Sequence, residues 1–142
     1  MTMGWQIWAA LAAVFAALTA IFAKVGVEDI NSDLATFIRT IVILIVLGAI
    51  LVATGEFRSL PTITPRTGVF LALSGLATGA SWICYFRALK IGNAAQVAPV
   101  DKLSVILVAI FGVLFLGERL SGVNWAGVVL VGAGAILVAW RP

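Results

Sequence analysis

The sequence predicts an all-α integral membrane protein with five transmembrane helices, on three observations. Hydrophobic residues make up 63% of the 142-residue chain and charged ones 11%, against about 45–50% and about 25% in soluble domains. A soluble chain of this length has too much surface for its volume to hide that much apolar side chain. Charged residues also divide the sequence into five apolar stretches, each close to the roughly 20 residues that cross a hydrocarbon core. The third observation is that the joints between the stretches carry helix caps and turn formers.

The first stretch covers 5–23 and ends at Lys24. The second covers 34–54 and is interrupted by Arg39. The third, 67–86, carries no charge, whereas the fourth, 94–116, holds Asp101 and Lys102 near its start. The fifth covers 123–140. Between the first two lies the polar run Glu28-Asp29-Ile30-Asn31-Ser32-Asp33, in which Asn31, Ser32 or Asp33 can cap the second helix. Thr64-Pro65 supplies an N-cap followed by proline at the first helical position. Gly117 suits a left-handed turn closing the fourth helix, and Ser121 is placed to start the fifth. Trp5, Trp8, Trp125 and Trp140 stand near span ends, where amphipathic rings settle at the headgroup level.

The first stretch reads as a membrane helix, not a cleaved leader: Met1 to Gln6 holds no lysine or arginine, and the apolar run exceeds a usual signal core. No joint is long enough to separate domains, so residues 1–142 read as one five-helix domain. Ala9, Ala13, Ala16 and Ala20 recur at helical spacing, and Gly75 and Gly79 form a small-xxx-small pair. Both patterns predict close helix packing, because small residues let backbones approach where lipid gives no hydrophobic drive.

Composition also narrows the function classes. The net charge of +3 comes from nine basic residues scattered singly, without the basic stripe and interleaved aromatics of a nucleic-acid surface. Basic loops beside membrane helices account for it. There is no histidine, so neither a Ser-His-Asp triad nor a histidine metal site can be built. The single cysteine, Cys84, lies inside an apolar run and reads as an inert buried thiol. No phosphate-binding glycine loop is present, and nothing calls for a catalytic residue, a cofactor or a metal. Any solute must move down a gradient or with an ion.

Charges at membrane depth are the features that point to function, since each costs roughly 2.5–3.5 kcal/mol at a helix centre. Arg39 is about 7–8 Å inside its stretch and Lys102 about 12 Å inside, by the helical rise. Arg39 can snorkel to the headgroups; the short Asp101 side chain cannot. Neighbours on a regular helix point about 100° apart, so Asp101 and Lys102 are expected to need separate partners. Arg39, Lys24, Arg87 and Lys90 are the candidates to neutralise Asp101. Pro99 just before them removes a backbone donor and loosens the helix. Irregular backbone at depth is tolerated only inside protein or beside a cavity. On the third helix, Ser74, Thr78, Ser81 and Tyr85 share one face, with Trp82 set deep beside them. That stripe either lines a polar path or bonds to neighbouring helices.

The run Tyr85-Phe86-Arg87-Ala88-Leu89-Lys90-Ile91-Gly92, then Ala98-Pro99-Val100, then Leu116-Gly117-Glu118-Arg119-Leu120-Ser121, resembles the EamA unit of the drug/metabolite transporter superfamily. Gly127, Gly132 and Gly134 in the last helix extend the likeness over nearly the whole chain. The usual members carry two such units, inverted relative to each other. This sequence holds one and resembles the short, single-unit, five-helix members, as does Pro99-Val100-Asp101-Lys102-Leu103-Ser104. The resemblance places the Gly117-Glu118-Arg119 turn at the membrane edge, as a structural feature.

The expected function is secondary transport of a small metabolite or drug-like solute across a bacterial or archaeal cell membrane. Asp101, Lys102 and Arg39 would supply the charged part of the site, beside Pro99, with Trp82, Tyr85, Ser81 and Thr78 as its walls. Asp101 is the candidate proton carrier. The alternatives are a membrane protein that stabilises a partner without transporting, and an uncoupled channel. Expected partners are the lipid bilayer, the solute and a second copy of the chain, with no nucleic acid. Two inverted copies would recreate the repeat architecture of such transporters. Loop charges allow it: Arg58, Arg66 and Arg119 on one side face Lys24, Arg87, Lys90 and Arg141 on the other, too even to fix one orientation.

Overall fold

The computed structural model describes residues 4–140, which form helices with no strand among them. Arg141 lies outside the described residues. Helices α1 (Trp5–Val27), α2 (Ser32–Thr54), α3 (Pro65–Ile91), α4 (Ala94–Asp101), α5 (Ser104–Leu116) and α6 (Gly122–Ala139) follow in order, with a 3₁₀ segment at Glu56–Thr62. Five stretches are long and apolar enough to cross a membrane; the fourth, Ala94–Leu116, is made of α4 and α5 together.

The expected caps form. Asn31 Oδ1 accepts from the Asp33 and Leu34 N–H groups at 2.8 and 3.2 Å and starts α2. Thr64 Oγ1 accepts from Thr67 N–H at 3.2 Å, one residue before Pro65 opens α3. Ser121 does the same for Asn124 at the start of α6. Gly55 and Gly117, at φ 74° and 68°, close α2 and α5 in the left-handed region that side chains disfavour.

The chain groups into two units. In the first, Phe22–Lys90, the buried residues gather about the α1–α2 turn and the last turns of α3. Val27 and Leu89 are fully buried and Phe86 is 3% exposed. Three cations fasten this end. Lys24 Nζ donates to the Leu89 carbonyl at 2.9 Å, and Lys90 Nζ donates to the Ile30 carbonyl. Arg87 grips Asp33 through two bonds of 2.9 and 2.7 Å. Cations there also complement the orphan carbonyls at the end of α3. Helix α3 therefore runs five residues past the apolar stretch, which hydropathy alone could not register.

In the second unit, which holds the chain up to Ile21 and from Ile91 onward, α6 packs against α4 and α5. Gly132, Ala135 and Gly112 are buried there. A Cβ built on Gly132 would lie 2.5 Å from Ile106 Cδ1, so the missing side chain is what lets α6 approach α5.

Three packing expectations are corrected. A Cβ on Gly75 or Gly79 meets nothing within 4 Å, so this pair brings no helix close among the described residues. Of the four alanines on α1, Ala20 is buried but Ala9, Ala13 and Ala16 are exposed. Cys84 is also exposed, not buried. Ala9, Ala13, Ala16 and Cys84 can face outward because lipid, unlike water, imposes no penalty on an apolar or small side chain. The same reason leaves Leu76 and Leu130 about seven-tenths exposed.

Candidate functional site

Within the first unit, α2 and α3 flank a groove of about 450 Å³. Thr40, Ile43, Leu44 and Leu47 line it from α2, and Leu71, Ser74, Gly75, Thr78, Gly79 and Trp82 from α3. The volume falls in the range of small-molecule sites, as does the makeup of an apolar wall with a few polar groups. Gly75 and Gly79 here serve as space, not as contact. Thr40 and Thr78 donate their hydroxyls to the carbonyls of Thr36 and Ser74, at 2.8 and 2.9 Å. This back-bonding satisfies each hydroxyl within its own helix and leaves the oxygens facing outward as acceptors.

Arg39 is outside the lining but adjoins it at the α2 N-terminal end, next to Thr40 in the chain and against the ring of Trp82. Its guanidinium carbon lies 4.0 Å from the centroid of Trp82 and 5.6 Å from that of Phe86. Facing a ring quadrupole is favourable for a partly desolvated cation. Tyr85 is within electrostatic reach of Arg39, and its ring meets Phe86 edge-on at 6.5 Å. The head of Arg39 thus rests on α3 aromatics instead of extending freely toward the headgroups. The hydroxyl stripe of α3 divides: Ser74 and Thr78 line the groove, Ser81 is exposed outside its lining, and Tyr85 sits near Arg39.

In the second unit, the fourth span is interrupted. Helix α4 contains Pro99 and ends at Asp101; α5 begins at Ser104. Across the break the bonds tighten to the i→i−3 kind. Lys102 N–H donates to the Pro99 carbonyl and Leu103 N–H to that of Val100, and Val105 and Ile106 N–H donate likewise to the carbonyls of Lys102 and Leu103, each at 3.0 Å. Here one expectation is overturned. Asp101 and Lys102 do pair, at 3.0 Å between Nζ and Oδ2. The 100° between successive residues holds for Cβ directions in a regular helix, but the helix stops at Asp101 and the four-carbon lysine stem folds back. Lys24, Arg87 and Lys90, candidates to neutralise Asp101, are occupied in the first unit instead.

The structure therefore joins Arg39 with Trp82, Tyr85 and the Thr78 wall in one unit, and Pro99 with Asp101 and Lys102 in the other. The α2 wall was not foreseen. Thr36 and Thr40, four residues apart just around Arg39, were the signal for it in the sequence.

Beyond this geometry, the pattern of the EamA-like transporter family matches residues 3–140. The chain belongs to that family. It is similar over 139 residues, at 65% identity, to an uncharacterized transporter in the cobO 3' region of Sinorhizobium sp., covering 98% of this chain and 99% of the relative. It is 26% identical over 77 residues to RarD of Salmonella typhi, covering 54% of this chain but 26% of RarD. An uncharacterized transporter of Vibrio cholerae is 30% identical over 100 residues, 67% of this chain and 33% of the relative. The chain thus spans the length of one relative and about a third or less of the others it matches. No solved structure matches it significantly. With its family established, this EamA-like chain is an integral membrane protein of a bacterial transporter family.

Proposed function

We propose that the protein is a secondary transporter of a small metabolite or drug-like solute, which enters the α2–α3 groove, and that it works as an antiparallel homodimer. The groove beside Arg39 and Trp82 carries the reading, because it puts a charge, an aromatic wall and an open volume together inside the membrane. The interrupted fourth span supports transport in a second way. Broken helices at depth supply ion and substrate contacts in secondary transporters. Asp101 there, paired with Lys102 at 3.0 Å, is the candidate coupling group. For the homodimer the support is loop charge: three basic residues in the joints on one side against four on the other fix no single orientation.

A thermal-shift screen of the purified protein against a metabolite library tests the groove, since a ligand of the folded state alone stabilises it. Solutes found this way should stabilise the native chain and lose that effect in Gly75→Phe, which fills the groove from a position where a Cβ meets nothing. Undiminished stabilisation of Gly75→Phe would move the site elsewhere. In proteoliposomes the same solutes should show saturable uptake; unsaturable flux would mean a channel, and none a partner-stabilising protein.

A further inference from the structure

We infer that the solute is an organic anion with an apolar body, its charged end held by Arg39 and its body lying in the α2–α3 groove. This rests on the groove being the solute site. The inference comes from accounting for each charge at depth. Asp101 and Lys102 neutralise each other. Near the fastened end of the first unit, Lys24 and Lys90 bond to carbonyls and Arg87 to Asp33. Arg39, seven residues inside α2, rests against the Trp82 and Phe86 rings with Tyr85 within electrostatic reach, and no hydrogen bond or ion pair to a carboxylate or carbonyl engages its guanidinium among the described residues.

A guanidinium carries five N–H donors in a planar fork. With its carbon 4.0 Å from the Trp82 centroid, the guanidinium meets the ring while its N–H donors find no acceptor among the described residues, a fork that suits a carboxylate or a phosphate. Escape toward the nearer membrane surface is opposed. The buried Phe86 lies one turn along α3 in that direction, and the Arg87–Asp33 pair lies beyond it. In the other direction is the groove, whose Ile43, Leu44, Leu47 and Leu71 suit hydrocarbon. The hydroxyls of Thr40 and Thr78 are already spent as donors, so Arg39 is the feature that selects charge. A cationic solute would meet an uncompensated positive charge at the end of the groove.

The test uses the full chain in phosphatidylcholine nanodiscs, with Trp5, Trp8, Trp125 and Trp140 changed to Phe so that Trp82 alone reports. The probes are 3-phenylpropionate, its uncharged amide and 3-phenylpropylamine. Expected is saturable quenching by the carboxylate, with the amide and the amine at least tenfold weaker. Arg39→Gln should erase that preference, and Arg39→Lys should retain part of it, a graded result that loss of folding would not produce. Equal binding of carboxylate and amide, or an unchanged preference in Arg39→Gln, overturns the anion assignment and leaves the groove standing. If no probe reaches Trp82, or Gly75→Phe quenches like its parent, the groove reading itself fails. Phospholipid phosphorus retained by the native chain after delipidation, but lost from Arg39→Gln, would give Arg39 to a lipid headgroup and overturn the solute reading.

Discussion

Asp101 and Lys102 show how a charge at membrane depth is tolerated by its nearest neighbour in sequence. Their bond at 3.0 Å exists because the helix stops between them and the next regular turn. Removing one partner leaves the other uncompensated, whereas removing both leaves a neutral break. Asp101→Asn and Lys102→Met are therefore each expected to lower the melting temperature in detergent by a few degrees, and the double variant to regain most of it. If the proton is carried here, all three lose gradient-driven uptake, the stable double variant included. Full uptake by the double variant would assign the pair to structure alone. Arg119→Gln, at the turn after α5, should leave turnover nearly unchanged once expression is matched. At that turn the neighbouring Glu118 donates its N–H to the Gly112 carbonyl at 3.1 Å, a fold-back on its own helix.

At the scale of elements, α3 presents two kinds of surface, and cysteine chemistry separates them. In a Cys84→Ala background, cysteines at Ser74 and Thr78 should react with a water-soluble maleimide through the groove. Those at Leu76 and Ile83 face lipid and should react at least tenfold more slowly. Equal labelling on both faces, or none on either, would remove the reading of this face as a polar path. Native Cys84, exposed on the same helix, should resemble Leu76 and yield only to a lipid-soluble reagent. In the other unit, α6 meets α5 where Gly132 faces Ile106. Gly132→Ala asks only that the end of the isoleucine side chain move and should cost about 1 kcal/mol. Gly132→Leu cannot be absorbed that way and is expected to cost several times as much, by the loss of folded protein in a thermal melt. Gly134→Leu, where a Cβ meets nothing, is the control.

At the scale of the whole molecule, the proposed antiparallel homodimer is a matter of how the spans are oriented in the membrane. Five spans place the two ends of the described chain on opposite sides of the membrane. In the proposed antiparallel homodimer, a second copy inserts inverted to supply the opposing repeat. Loop charge permits this, three basic residues standing against four. Reporters fused after Pro142 are expected to be active on both sides, fluorescence from a cytoplasmic reporter and enzyme activity from an exported one. Adding two lysines to the Glu56–Thr62 segment should drive the population to one orientation and abolish uptake. Co-expression of a copy biased the other way should restore it. Activity of the fixed, single-orientation population would rule out the antiparallel dimer.

Membrane residence, the five spans and their caps were legible in the residues because they depend on local chemistry. An apolar run must match the hydrocarbon thickness, an asparagine or serine must meet the first free N–H groups, and a glycine must take a positive φ. The family was legible too, through an ordered set of short motifs around Pro99 and Gly117. What needed the tertiary structure was every question of partner. Arg87 chose Asp33, fifty-four residues away, and Arg39 chose the faces of Trp82 and Phe86. Lysine flexibility at a broken helix then brought Lys102 back to Asp101. Gly75 and Gly79 read as a packing pair but became the open wall of a groove, since spacing along one helix says nothing about which helix lies opposite. Charge at depth is visible in a sequence; what compensates it is decided by which helices meet and where a helix is allowed to stop.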